Sequence, residues 1–141
     1  DQAGGAFGVS KVGRGAAFGD VDNDGDIDVL VGNDSGRVEL LINQVDSRRN
    51  HWLGLRLLGK ETPRDMFGAR VEVERSDGVT VRRRVRADGS YGSANDPRVL
   101  VGLGNELAAP LIRVYWPTGN VEEWRDVASG QWTTLVEGEG Q

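Results

Sequence analysis

Three observations predict an all-β chain. The apolar residues come in runs of strand length, several of them alternating with polar ones. Twenty-one glycines in 141 residues supply turns at short intervals. No stretch holds a convincing helical period. The strands divide into an antiparallel sheet within residues 1–45 and a β-sandwich over 51–141, joined by the polar linker Asp46-Ser47-Arg48-Arg49-Asn50.

In the first part, Gly15-Ala16-Ala17-Phe18-Gly19 and Ile27-Asp28-Val29-Leu30-Val31 read as strands flanking an acidic loop. Residues 37–42 form a third strand after the turn Asn33-Asp34-Ser35-Gly36, and Ala6-Phe7-Gly8-Val9 is the candidate for a fourth. From His51 the strands are dense. Leu53, Leu55 and Leu57 share one face of the first. Residues 69–75 and 79–86 form a hairpin. A two-residue turn would set Val73 opposite Arg82. The three-residue loop Ser76-Asp77-Gly78 instead sets Val73 opposite Val81, Ala69 opposite Val85 and Glu72 opposite Arg82, so like faces like and Gly78 is left-handed. Residues 98–103, 111–116, 120–124 and 131–136 supply four more strands, with Pro117-Thr118-Gly119 as a turn.

The loop Asp20-Val21-Asp22-Asn23-Asp24-Gly25-Asp26-Ile27-Asp28 carries five aspartates in nine residues. Such crowding is repulsive unless it surrounds a hard cation. Asp20, Asp22 and Asp24 fall at loop positions 1, 3 and 5, Gly25 at the sharp turn and Asp28 at position 9, while Asp26 offers its carbonyl. Oxygen-only ligation of this kind suits Ca²⁺. An EF-hand is excluded, because its twelfth position would be Val31 in place of a bidentate glutamate. The chain has 22 acidic and 17 basic residues, and without these five aspartates the two signs balance. The excess negative charge is therefore local.

Zero cysteines exclude disulfides and thiolate chemistry. No apolar run is long enough to span a membrane. The chain begins at Asp1 without a methionine, so a processed chain or an excised fragment is expected. A calcium loop of millimolar range fits an extracellular or cell-surface setting.

Residues 15–28 resemble an FG-GAP (VCBS-type) repeat, the calcium-loop blade of integrin-like propellers. The remainder resembles the ASPIC/UnbV domain of cartilage-acidic-protein-like and bacterial secreted proteins, through Asn50-His51-Trp52-Leu53, Phe67-Gly68-Ala69-Arg70-Val71, Gly89-Ser90-Tyr91, Asn95-Asp96-Pro97-Arg98, Val101-Gly102-Leu103-Gly104 and Trp116-Pro117-Thr118-Gly119. The resemblance implies one propeller-type antiparallel blade (1–45) ahead of a β-sandwich (51–141). It also implies Ca²⁺ held by Asp20, Asp22, Asp24, the Asp26 carbonyl and Asp28, with interaction duties outside the cell. A lone blade leaves open edges. The rest of a propeller, the sandwich itself or identical neighbouring subunits would cover them.

Other candidates weigh less. In Val81-Arg82-Arg83-Arg84-Val85-Arg86, the arginines Arg82, Arg84 and Arg86 share a face with Glu72 and Glu74 and read as a solvated ladder of ion pairs rather than an anion site. His51 has no catalytic partner placed by sequence, Asn95-Asp96-Pro97 reads as a turn, and Asn33-Asp34-Ser35 matches a glycosylation sequon. Trp52, Trp116, Trp124 and Trp132 read as core, with a sugar-stacking platform as the alternative. Nucleic acid is not expected as a partner. The expectation is a non-enzymatic, calcium-binding adhesion or interaction module. Its alternatives are a filament subunit completed by its neighbour and a carbohydrate-binding module.

Overall fold

The computed structural model describes residues 5–8, 10–45, 50–61, 64–105 and 109–141. Among the described residues all of the regular structure is β apart from one 3-10 turn at Gly5–Gly8. That turn stands where Ala6 to Gly8 were expected to add a strand, and Val9 lies outside the described residues. Two glycines in this segment leave too little side chain to pack on a pleated surface, which disfavours a strand there. Of the expected linker 46–50, only Asn50 lies among the described residues.

The first sheet is the antiparallel meander β1 (Gly13–Gly19), β2 (Asp28–Asn33) and β3 (Glu39–Leu41). Its register sets Ala17 opposite Leu30 and Leu30 opposite Leu40, so these three share a face. In the turn between β2 and β3 the left-handed residue is Ser35, at φ 56°, and not the glycine that follows it.

The other two sheets enclose one core. One has the order β10-β4-β7, from β4 (His51–Leu58), β7 (Val99–Gly104) and β10 (Trp132–Val136). The other has the order β6-β5-β8-β9, from β5 (Arg70–Glu74), β6 (Thr80–Arg84), β8 (Leu111–Tyr115) and β9 (Val121–Trp124). Alternate residues of each strand point inward. Leu53, Leu55, Leu57, Val101 and Leu103 of one sheet meet Val71, Val73, Ile112 and Val114 of the other, all essentially inaccessible to water. Each such side chain contributes about 1.5–3 kcal/mol of burial. None of the apolar side chains of β1, β2 or β3 joins this core.

The β5–β6 hairpin keeps the expected register, with Val73 opposite Val81, Glu72 opposite Arg82 and Gly78 at φ 82°. Val85 N donates to Ala69 O, which continues the same alignment. One pairing was not expected: β10 runs parallel to β4, with Trp132 beside Gly54. The last strand thus closes the sheet along its first strand, at large sequence separation.

Candidate metal centre

The loop between β1 and β2 is shaped by its own aspartates. Asp20 accepts from Asp24 N through Oδ1 (3.1 Å) and from Gly25 N through Oδ2 (3.0 Å). Asp28 accepts from Val21 N (2.8 Å) and from Asn43 N (2.8 Å), tying the loop to the exit of β3. Asp20 and Asp28 are only 2% and 1% exposed. Two carboxylates this deep need such N–H donors to offset their lost hydration.

Of the five sequence candidates, the fold brings three together. Ligand oxygens of Asp20, Asp22 and Asp28 all lie within 4.8 Å of one another. Asp24 turns one oxygen back to Asp26 N (2.9 Å) and stands outside that group. Asp26 Oδ2 is buried with no hydrogen-bond partner among the described residues. Loss of solvation raises the pKa of Asp22 above the ordinary carboxylate value, and the charges of Asp24, Asp28 and Asp20 add to it. Asp26 is raised in the same way, by lost solvation first and then by Asp24 and Asp20. The donor set is oxygen only, strongly negative and held by backbone N–H groups, which fits a hard cation.

Sequence reasoning placed Gly25 at a sharp turn, and its φ of 92° agrees. It missed a second reason for that glycine. A Cβ at Gly25 would sit 2.3 Å from the Trp52 indole. The loop rests on the outer face of the β10-β4-β7 sheet, where Trp52 and Trp132 pack as a tilted pair with centroids 5.8 Å apart. Gly54 lies beneath them, with no room for a Cβ against either ring.

The contact is polar as well. Trp132 Nε1 donates to Asp20 Oδ2 (3.1 Å). Arg98 donates to the Asp20 carbonyl (2.7 Å), to Asn23 Oδ1 (2.8 Å) and to Asp96 (2.6 and 2.7 Å). Its guanidinium lies 3.9 Å from the Trp132 ring centroid. The sequence did not mark Arg98 or Trp132 as partners of the loop, because the loop residues they meet are 75 to 112 positions away.

The edge of β1 is covered in the same region. Asp96 N donates to Phe18 O (2.9 Å), Phe18 N donates to Asn95 Oδ1 (3.0 Å), and Ser93 Oγ donates to Ala16 O (2.7 Å). Gly15 and Gly19 admit this segment, since a Cβ at either would strike Tyr91 O or Asp96 Cβ. The Asn95-Asp96-Pro97 turn therefore serves as a docking strip for the first sheet.

The remaining candidates each have a place in the fold. His51 opens β4 opposite Gly104. Trp116 and Trp124 form an edge-on pair with centroids 6.1 Å apart, and none of the four tryptophans is among the exposed large apolar side chains. Of the expected ion-pair ladder, Arg82 meets Glu72 (2.7 Å), whereas Arg86 lies by Asp88 (4.0 Å) and not by Glu74. A pair that was not expected, Arg113 with Glu123 (2.6 Å), links β8 and β9. The ladder does not reach Arg84, and neither Arg84 nor its neighbour Arg83 has an acidic partner among the described residues.

Most of this all-β body falls within the residues matched by a known family. Residues 59–141, more than half of the chain, match the ASPIC and UnbV family, and the chain belongs to that family. A comparison with curated proteins gave no match.

Proposed function

We propose that the chain is a non-catalytic, calcium-binding interaction module of the extracellular space, with an FG-GAP-like blade joined to its ASPIC/UnbV body. One observation carries this reading: the carboxylates of Asp20, Asp22 and Asp28 converge within 4.8 Å in a loop built of oxygen donors. Asp20, Asp22 and Asp28 would hold the ion, with Asp24 and Asp26 close enough in the chain to complete its oxygen shell. Calcium supplies charge neutralisation. The chain's own groups do the rest: backbone N–H donors orient Asp20 and Asp28, and Arg98 with Trp132 fixes the loop against the body.

The test is thermal unfolding with calcium and with chelator. Calcium is expected to raise the melting temperature with the logarithm of its concentration. Asp22→Asn is the informative variant, because Asp22 is exposed while Asp20 and Asp28 also hold the loop's backbone. It is expected to remove the calcium-dependent rise and to leave stability in chelator unchanged or slightly higher. A parent protein whose melting curve ignores calcium would end the proposal.

A second reading, a filament subunit, is favoured by an uncovered apolar face. Leu30, Val38, Leu40 and Ile42 are 39–63% exposed, and among the described residues no strand pairs with the outer edge of β3. Because residues 93–96 occupy the β1 edge, a partner would enter from β3. The same face would serve the remainder of a propeller.

A further inference from the structure

We propose that the β6 edge of the body binds a sulfated polysaccharide. Arg70 and Arg84 stand directly opposite each other on the outer face, an arrangement that is destabilising unless something negative is shared between them. Neither has an acidic partner among the described residues. Glu72, the acid nearest in register, is already engaged: it accepts from Arg82 Nε (2.7 Å) and the Tyr115 hydroxyl (3.1 Å), with Arg113 at 3.6 Å. Arg83 occupies a core-facing position on β6, opposite Val71, yet is exposed, and its Nη1 donates only to the Arg82 carbonyl. Three unneutralised guanidinium groups thus crowd one edge of a chain whose net charge is −5.

The surface around them is continuous. A groove of about 450 Å³ along Arg70, Arg82, Arg83, Arg84 and Tyr115, with the already engaged Glu72 on its wall, shares Arg83 and Arg84 with a trough of about 700 Å³. That trough runs past Arg86 and the paired Asp96 and Arg98 to Phe18 and Ile27, each 43% exposed. Guanidinium forks suit the paired oxygens of sulfate esters, and the two apolar side chains give sugar rings a surface to lie on. A long open track favours a polymer over a single ion. An acidic peptide added as a strand is disfavoured, because Arg83 lies on the edge and occupies a carbonyl there. Single-stranded nucleic acid is disfavoured because the Tyr115 face is taken by Arg70, 5.1 Å from its centroid.

The test is calorimetric titration of the whole chain with a heparin octasaccharide. The parallel probes are the desulfated octasaccharide, a polyglutamate peptide and oligothymidine of matched charge. The sulfated sugar is expected to bind, more weakly as salt rises. The Arg70→Gln/Arg84→Gln double variant is expected to lose about tenfold or more in affinity while its melting temperature holds or rises, since a like-charge pair has been removed. Arg125→Gln, whose arginine lies by Glu123 at 3.5 Å, is expected to bind as the parent does. Absence of binding, indifference to the double variant, or equal binding of any of the other three probes would overturn the assignment. The arginines belong to β5 and β6, so failure of the calcium proposal, read from melting curves, leaves this result interpretable.

Discussion

Arg98 spends its guanidinium on four partners at once: the Asp96 carboxylate, the Asn23 side chain, the Asp20 carbonyl and the Trp132 ring. Arg98→Ala is expected to cost about 2–4 kcal/mol in urea unfolding, because Asp96 and the loop carbonyl lose a half-buried charged donor. Arg98→Lys is expected to recover little, since an ammonium cannot reproduce the planar fork. Gly25 gives a comparison within the same molecule. Gly25→Ala must find room for a Cβ against Trp52, whereas Gly119, at φ 99°, has nothing within 4 Å. We expect the Gly119→Ala cost to be about 1 kcal/mol and that of Gly25→Ala to be clearly larger. Equal costs would show that the Trp52 contact yields freely. Asp22 and Asp26, with folded-state values above those of the unfolded chain, take up protons on folding. Without divalent ion, stability therefore gains as pH falls through the range just above the ordinary carboxylate value and is lost as pH rises. Calcium favours the ionised forms, so the calcium-dependent gap in melting temperature is expected to narrow on acidification. A gap that is flat with pH would remove these carboxylates from the site.

Among the elements, the β5–β6 hairpin was legible from sequence because its register follows from local chemistry. Only a three-residue loop lets valine face valine and glutamate face arginine. The strands of the body were legible for the same reason, since each alternates on its own account. The parallel β4–β10 pair was not, because nothing in residues 132–136 names a partner near residue 54. The same limit applies at the candidate site. Five aspartates pointed to a candidate metal loop, yet the three that converge are held by partners the loop itself does not name: Asn43, Trp132 and Arg98. The expected orphan edge proved half covered, by residues 93–96 on β1. What remains is β3 and its apolar face, so Leu40→Lys is expected to reduce self-association or partner binding with little change in melting temperature. Light scattering checks the first and calorimetry the second. Unaltered association would move the interface elsewhere.

At the scale of the whole molecule, the first sheet and the two-layer body meet through the aspartate loop and the 93–96 strip. Two of the four tryptophans, Trp52 and Trp132, lie at that meeting point. Intrinsic fluorescence should therefore report the loop. Calcium addition is expected to shift the emission of the parent protein, and Trp132→Phe to remove most of the change. A bond between Asp20 and Trp132 spans 112 residues of chain. Few long-range contacts form early in folding, because closing so large a loop costs entropy before any contact repays it. The indole donor of the aspartate loop is carried by β10, so the native bond belongs to the state in which β10 lies beside β4. An ion held there would act as an inspector at the end of the line, gripping tightly only those chains whose final strand is already home.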